Sequence, residues 1–284
     1  MIEKHLVPPF APTMKSIDPL AVEVAGLVHH YGNFVALKGI DLQIHQGQIF
    51  GLLGPNGAGK STALKILTTL LTPTAGSAHV AGIDVIQSPL QVRAKIGYVP
   101  QMLSADGALT GYENLRLSAR LYDIRGKDRE QRITEALQFM GMSEAAAKLV
   151  KTYSGGMIRR LELAQAMLHR PSVLFLDEPT IGLDPVARRH VWDRLLELRR
   201  QYGITVLITT HDMEEADFLC DELAILHQGT VTAVGTPAAL KQQVGPDADL
   251  NDVFSHYSSG SALQEEGGRY RDVRKTRTTA RRLG

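Results

Sequence analysis

The chain has 284 residues, of which 44% are hydrophobic and 21% charged, a composition typical of a globular protein with a sizeable core. Its formal net charge of +1 does not indicate an obligatory nucleic-acid or other polyanionic partner. The single cysteine, Cys220, excludes a disulfide framework and favours a reducing compartment, and it is expected to be a small buried apolar residue.

The N-terminal residues 1–20 are rich in proline and lack a continuous apolar segment, so they predict a flexible arm rather than a secretory signal. Met1 and Met14 both remain open as the start of the protein. Apolar runs such as 173–176 and 204–208 have the length of a strand, short of the roughly 18 residues that a membrane-spanning helix needs. Any role at a membrane would therefore require another polypeptide.

The first half of the chain predicts an α/β core with an insertion. Residues 21–50 are β-rich, and apolar and polar residues alternate over 40–45 as in a half-buried strand. The compact apolar strand 48–53 leads into a glycine-rich turn and then a helix over 62–71. Residues 102–150 have glycines between segments of helical periodicity, which indicates a small helical lobe inserted into the core.

The second half alternates helices and strands, which predicts a largely parallel, layered sheet. The predicted elements are helix 156–169, strand 173–177, helix 185–201, strand 204–209, helix 212–220, strand 223–227 and a β extension over 229–234. Beyond Thr236 the pattern weakens. The chain ends in a basic tail, interpreted as disordered and solvated, with contact to anionic lipid headgroups as the alternative; its residues from Arg269 include Arg271, Asp272, Arg274, Lys275, Arg277, Arg281 and Arg282.

The strongest motif is a phosphate-binding loop of the pattern G-x-x-x-x-G-K-[ST]. Lys60 is expected to reach the β- and γ-phosphates, and the Ser61 hydroxyl to bind Mg²⁺. An apolar strand precedes the loop and a helix follows it, a context that favours ATP binding over the alternative of a glycine-rich turn with an exposed lysine. The predicted site residues here are Gly54, Pro55, Asn56, Gly57, Ala58, Gly59, Lys60, Ser61 and Thr62.

A second motif is the apolar strand that ends in Asp177 and Glu178. A strand buried on both faces ends in two carboxylates when its tip meets something charged. Asp177 is expected to hold the Mg²⁺ shell through water, and Glu178 to polarise the attacking water. The alternative is an ordinary strand end with solvated acids, but the phosphate loop earlier in the chain favours a catalytic role.

The segment TYSGGMIRRLELAQAML resembles the signature of the nucleotide-binding domains of ABC transporters, usually written LSGGQ. Tyr153 stands in place of the Leu and Met157 in place of the Gln, while the core of Ser154, Gly155 and Gly156 is intact. Ser154 can cap the following helix and leave amides free for an anion. The structural alternative is the helix cap alone.

Four further residues resemble functional positions of that family. Tyr31 in HHYGNFVAL resembles the aromatic residue that stacks on adenine, and Gln101 in GYVPQ resembles the glutamine that contacts Mg²⁺ and opens the helical lobe. His211 in TTHDMEEAD resembles the histidine that holds the γ-phosphate and orients Glu178. Asp184 in IGLDP resembles the residue that crosses to the other subunit. The alternatives are an exposed tyrosine, a polar loop residue, a structural histidine and a helix start.

The resemblance covers about residues 21–235 and implies the fold of the family, a P-loop NTPase (RecA-like) core with an antiparallel β subdomain and an inserted α-helical subdomain at about 102–155. It therefore predicts three parts: an arm over 1–20, an ATPase domain over 21–235, and a C-terminal extension with a basic tail over 236–284.

The resemblance also implies an ATP-hydrolysing subunit that uses Mg²⁺ and forms a head-to-tail homodimer, or a heterodimer with another cassette. Such a subunit would drive a separate transmembrane permease from the cytoplasmic face of the membrane, with no nucleic acid expected. Two long segments, PQMLSADGALTGYENLRLSARLYDIRG and YSGGMIRRLELAQAMLHRPSVLFLDEPTIGLDP, resemble the daunorubicin-resistance branch of drug and polysaccharide exporters, as does Leu250–Tyr257. Export of a drug-like, lipid or polysaccharide substrate is therefore expected.

Two alternatives stay open at this point. One is the ATPase subunit of an importer, which these motifs separate only weakly from an exporter. The other is a soluble ABC ATPase acting on ribosomes or DNA, although the translation-factor type typically carries two cassettes and the chromosome-maintenance type a long coiled coil. The transported molecule is not readable, since its contacts would lie in the membrane subunit.

Overall fold

The structure, a computed structural model, describes residues 19–259; the predicted arm, apart from its last two residues, and the basic tail from Arg269 lie outside the described residues. The strands are β1 (Leu20–Tyr31), β2 (Phe34–His45), β3 (Ile49–Leu53), β4 (Ala75–Val80), β5 (Ile83–Asp84), β6 (Ile96–Val99), β7 (Val173–Asp177), β8 (Thr205–Thr210), β9 (Glu222–His227) and β10 (Thr230–Gly235). The helices are α1 (Lys60–Leu67), α2 (Pro89–Lys95), α3 (Gly111–Leu121), α4 (Gly126–Phe139), α5 (Gly155–Met167), α6 (Pro185–Tyr202), α7 (Met213–Leu219), α8 (Pro237–Val244) and α9 (Leu250–Ser259).

The N-terminal part forms an antiparallel sheet in the order β2-β1-β4-β5. The alternation expected over 40–45 is confirmed, because Ile40, Leu42 and Ile44 are buried while their neighbours are more exposed. This sheet packs its apolar face into a core that also holds Phe50 and Phe175 of the second sheet.

The second sheet has the order β10-β9-β3-β8-β7-β6, and all its strand pairs are parallel except β9 with β10. Every residue of β3, β7 and β8 is buried, as expected for strands covered on both faces. The carboxyl ends of these three adjacent strands lie at one edge of the sheet, where ligands bind in α/β folds of this kind. The predicted fold class is confirmed.

The helical lobe lies between β6 and α5 and contains α3 and α4. Thr110 starts α3 with a capping box, in which its side chain accepts from the Glu113 amide and Glu113 accepts from the Thr110 amide. Leu115, Ile133 and Leu137 are buried and belong to the larger core cluster of the protein. The lobe is therefore packed into the core between its two connections, the segment after β6 and the start of α5.

One helix prediction was wrong at its end, and two helices were not predicted. Helix α1 stops at Leu67 rather than residue 71, because the Thr68 hydroxyl donates to the Leu64 carbonyl (2.8 Å) and Thr69 adopts a positive φ of 62°. The weak pattern beyond Thr236 gave no helix, yet α8 and α9 follow it. They are short, and each places few apolar side chains in the core, such as Leu240 and Leu250, so their periodicity is faint in the sequence.

Cys220 is buried as predicted, with 8% of its surface exposed. Across residues 19–259, no helix combines the length and the hydropathy that crossing a membrane requires.

Candidate active site

The phosphate-binding loop joins the end of β3 to α1, as the motif predicted. Gly57 and Gly59 have φ angles of 82° and 110°, a region that side chains other than glycine rarely adopt. A Cβ on Gly54 would lie 2.4 Å from the Leu226 carbonyl oxygen, and one on Gly59 would lie 2.7 Å from the Ala36 carbonyl oxygen. The glycines therefore permit both the turn and its close seating between β2 and β9.

Lys60 is buried at the first position of α1, and its ammonium group has three partners within the site, two by hydrogen bonds and one by an ion pair. Its Nζ lies 2.7 Å from the Gly54 carbonyl, 3.3 Å from the Pro55 carbonyl and 3.2 Å from Glu178 Oε1. The ammonium group thus bridges the loop and the acidic end of β7.

Asp177 and Glu178 reach the loop from β7. Asp177 Oδ1 accepts hydrogen bonds from the Ser61 hydroxyl (3.2 Å) and the Thr209 hydroxyl (2.5 Å). The Glu178 amide donates to the carbonyl and hydroxyl oxygens of Thr209, both at 3.1 Å, while Glu178 itself has a positive φ of 48°. A glutamate in this region is strained, and such strain persists where the surrounding contacts impose it, often at functional sites.

His211 follows β8 and lies beside Glu178. Its Nδ1 is 3.1 Å from Glu178 Oε2, but the two groups are not aligned as a hydrogen bond. The His211 side chain is about half exposed, whereas the Glu178 carboxylate is buried, so the histidine covers the carboxylate from the solvent side.

A cleft of about 360 Å³ joins most of the predicted nucleotide residues. Tyr31 and Gln101, far apart in sequence, line it together with the loop and Glu178. The full lining is Tyr31, Phe34, Ala36, Pro55, Asn56, Gly57, Gly59, Lys60, Ser61, Thr62, Gln101 and Glu178. Asp177 and His211 adjoin it through Ser61 and Glu178, and Gly54 and Ala58 belong to the loop without lining the cleft.

The remaining predicted residues form a second group. Ser154 caps α5 by accepting from the Met157 amide (3.3 Å), and Asp184 caps α6 by accepting from the Ala187 amide (2.9 Å). Ser154, Gly155 and Asp184 are exposed, and none of them is among the described residues that line the cleft. A Cβ on Gly156 would lie 2.7 Å from the Ala187 side chain, so the two helix starts pack closely. The helix caps that the sequence offered as alternatives are therefore present.

Burial shifts the pKa of two groups next to the site. Burial, and after it the charge of Asp177, raises the pKa of Tyr98 to about 12, so its hydroxyl stays protonated at an alkaline pH at which an exposed tyrosine would ionise. Burial also raises the pKa of Glu215, against the opposing effect of hydrogen bonds from Thr180 (2.7 Å) and Trp192 (2.9 Å). Glu215 thereby joins α6, α7 and the loop after Glu178.

Sequence reasoning did not single out several residues of the site. Phe34 and Ala36 line the cleft, and Thr209 positions both acids. Two threonines at the end of the apolar strand, directly before His211, were an available signal, because polar residues at the carboxyl end of a buried strand indicate a site. Phe34 had no such signal.

Comparison with known proteins gives consistent matches. A family model described as "ABC transporter" matches residues 37–181. The chain is 46% identical over 231 residues to the daunorubicin resistance ATP-binding protein DrrA2 of Streptomyces coeruleorubidus, covering 81% of this chain and 71% of that protein. It is 42% identical over 266 residues to the daunorubicin/doxorubicin resistance ATP-binding protein DrrA of Streptomyces peucetius, covering 92% of this chain and 80% of that protein. A dimeric ATP-binding cassette solved in a post-hydrolysis state with ADP and Pi superposes with a TM-score of 0.68 at 28% identity, covering 76% of this chain and 98% of that one.

Proposed function

Since the chain belongs to the ABC transporter family of ATP-binding proteins, we propose that it is the ATP-hydrolysing subunit of a drug exporter and works with a separate membrane permease. Similar proteins are named for resistance to daunorubicin, doxorubicin and linearmycin, which favours export over the importer alternative. The observation that carries the proposal is the meeting of the phosphate loop with the acidic end of β7, where Lys60 lies 3.2 Å from Glu178 and Ser61 lies 3.2 Å from Asp177.

ATP binds in the cleft with its adenine on Tyr31 and its phosphates on the loop. The Tyr31 side chain is 45% exposed and Phe34 is 62% exposed, so both rings offer a face to a base. The Lys60 ammonium group then leaves its ion pair with Glu178 and binds the β- and γ-phosphates.

The residues near Lys60 also fit Mg²⁺. Ser61, Asp177 and Gln101 supply a hydroxyl, a carboxylate and an amide oxygen, the hard oxygen donors that Mg²⁺ prefers alongside phosphate oxygens and water. When bound, the ion neutralises charge that develops on the phosphates. These three residues would hold it.

Glu178 is the general base. Its carboxylate is buried, and release of Lys60 to the phosphates leaves it free to accept a proton from the attacking water. His211 holds the γ-phosphate and orients Glu178. The distance of 3.1 Å between His211 Nδ1 and Glu178 Oε2 supports this role.

Two copies combine head to tail, so that the exposed group of Ser154, Gly155 and Asp184 completes the cleft of the partner. The exposed start of α5 supports this arrangement, because helix N-terminal amides bind anions and Ser154 leaves some of them free. A cassette with a similar fold is dimeric with ADP and Pi. A heterodimer with another cassette is the variant of the same proposal.

Mixing two inactive variants tests the composite site. Ser154→Arg blocks the signature and Lys60→Ala blocks the loop, so each homodimer has two defective sites. In a mixed dimer, one site combines the intact Lys60 of one chain with the intact Ser154 of the other. Random pairing gives about half mixed dimers, so we expect partial recovery of hydrolysis in the mixture.

The matched control mixes Lys60→Ala with the double variant Ser154→Arg/Lys60→Ala, a pair that cannot form an intact site. Crosslinking measures the fraction of mixed dimers in both cases. If mixed dimers form and bind ATP but show no single-turnover hydrolysis, the composite site is wrong.

A groove next to the cleft suits the permease. It has a volume of about 350 Å³ and is lined by Leu70, Leu121 and Tyr122, of which Leu121 is 78% exposed. Met102 and Leu103, directly after Gln101, are exposed as well. Exposed apolar side chains grouped in this way mark a docking surface. Ser104 lines the groove and Gln101 lines the cleft, so the four-residue segment 101–104 connects the two. A permease docked in the groove would therefore be linked to the nucleotide site through this segment.

Leu121→Asp tests both the docking and the export function. In cells that lack the native gene, we expect wild-type protein to lower the accumulation of daunorubicin, measured by its fluorescence. Leu121→Asp should fail to lower accumulation, although the purified variant retains its basal hydrolysis. Position 121 is exposed in the subunit alone, so the aspartate charge would be buried only when the permease docks there.

The control is Val234→Asp, an exposed position (48%) on β10 at the other edge of the sheet from β6. It should restore export like the wild type. If Leu121→Asp exports as well as that control, the groove is not the docking site. If the wild-type protein does not change accumulation, daunorubicin is not a substrate and the proposed drug export is contradicted.

A further inference from the structure

Arg159 and Glu162 on α5 form a buried ion pair that contacts the segment after β6, one of the two connections of the helical lobe. Arg159 and Glu162 are 2% and 3% exposed, and their side chains meet at 3.0 Å between Nη1 and Oε2. Burial lowers the pKa of Arg159, and the charge of Glu162 opposes that shift. A buried pair of this kind seldom adds net stability over apolar side chains, so its role lies in what it holds in place.

The pair holds the segment that follows β6. The Arg159 guanidinium donates to the Pro100 carbonyl (2.7 Å) and to the Gln101 carbonyl (2.9 Å). Glu162 accepts from the backbone amide of Ser104 and from its hydroxyl, the latter at 3.1 Å. These contacts are independent of the Gln101 side chain, which lines the nucleotide cleft.

The same helix begins with the signature. Arg159 lies within the first two turns of α5, whose N-cap is Ser154. A planar guanidinium with two carbonyls and a carboxylate fixes direction as well as distance, which a single charge does not. Gln101 and Ser154 are therefore connected through one buried, rigid contact.

We propose that Arg159 and Glu162 are positioning residues that make the Gln101 segment and the signature move as one unit. This inference rests on the proposed composite site. In the head-to-tail dimer, Gln101 contacts the nucleotide of its own chain, whereas Ser154 completes the site of the partner. The pair thus connects the two nucleotide sites of the dimer.

A double-mutant cycle with Arg159→Lys and Gln101→Ala tests the proposal through ATP hydrolysis. Lysine keeps the charge but lacks the planar fork through which Arg159 donates from Nη1 to the Pro100 carbonyl and from Nη2 to the Gln101 carbonyl. We expect Arg159→Lys to lower kcat about tenfold with little change in KM, and to lower it by less than about twofold when Gln101→Ala is already present. Equal effects in both backgrounds, or a fully active Gln101→Ala, would overturn the proposal.

Arg160→Lys is the matched control, because Arg160 lies on the same helix and donates to the Met140 carbonyl (3.1 Å) in the lobe instead. It should change kcat by less than about twofold. Glu162→Gln keeps the volume of the side chain and should reproduce the cycle if Arg159→Lys folds poorly by circular dichroism. An additive cycle for Glu162→Gln would likewise overturn the proposal.

A second readout separates this inference from the composite site itself. In the Glu178→Gln background, Arg159→Lys should raise the ATP concentration needed for dimerisation about tenfold while ATP binding to the monomer stays unchanged. A Glu178→Gln protein that never dimerises with ATP would contradict the composite site and this inference together. Normal dimerisation of the combined variant would contradict the positioning role alone.

Discussion

Lys60→Ala is expected to lower ATP hydrolysis by about 1000-fold or more, because in the proposed mechanism Lys60 supplies the point charge on the transferred phosphoryl group. Three contacts hold its ammonium group at the loop and beside Glu178, and no other lysine lines the described part of the cleft. Release of phosphate at saturating ATP and Mg²⁺ measures the effect.

The control for this variant is Lys65→Ala, an exposed lysine on the same helix, which should hydrolyse ATP like the wild type. Thermal melting is measured for both, since Lys60→Ala leaves the buried Glu178 carboxylate without its cation and should lower stability as well. Hydrolysis by folded Lys60→Ala within a few-fold of the wild type would remove the phosphate-loop assignment.

Glu178→Gln is expected to slow turnover by about 100-fold or more while ATP binding persists, because an amide cannot accept a proton from water. Binding should be as tight as in the wild type or tighter, because Lys60 no longer shares its charge with a carboxylate 3.2 Å away. The ATP-bound protein should then accumulate as a dimer, which size-exclusion chromatography with and without ATP detects.

Glu214→Gln is the matched control, an exposed acid on α7 that does not line the cleft. It should turn over ATP normally and show no stable dimer. A Glu178→Gln protein that stays monomeric with ATP and hydrolyses at the wild-type rate would place the general base on another residue.

Both predictions rest on short sequence motifs, and the structure explains why these were readable. The loop from Gly54 to Ser61 is local, so its conformation follows from its own glycines and from the strand and helix beside it. The acids after β7 are equally local. The sequence pattern also predicted β7, β8 and α6 to within two residues, since each strand has a continuous apolar run and α6 is long.

Local pattern was less informative where packing decides. Helix α9 buries Leu250 and Val253 against the core, but one apolar face of a short helix is a weak signal. The spacing of three residues between Arg159 and Glu162 is equally that of a solvent-exposed ion pair on a helix, so the local pattern does not indicate their burial. Their burial became apparent only with the segment at Pro100 and Gln101 packed over them.

The sequence by itself determined the chemistry of this protein: the phosphate loop, the paired acids and the signature are contiguous segments whose residue types specify ATP hydrolysis. Only the tertiary structure brings the phosphate loop and the paired acids together. Parallel strand order brings the ends of β3, β7 and β8 to one edge, so Lys60, Glu178 and His211 come into contact although more than 100 residues separate the first from the others. Contacts between residues so distant in sequence depend on sheet order and packing, which no local pattern encodes.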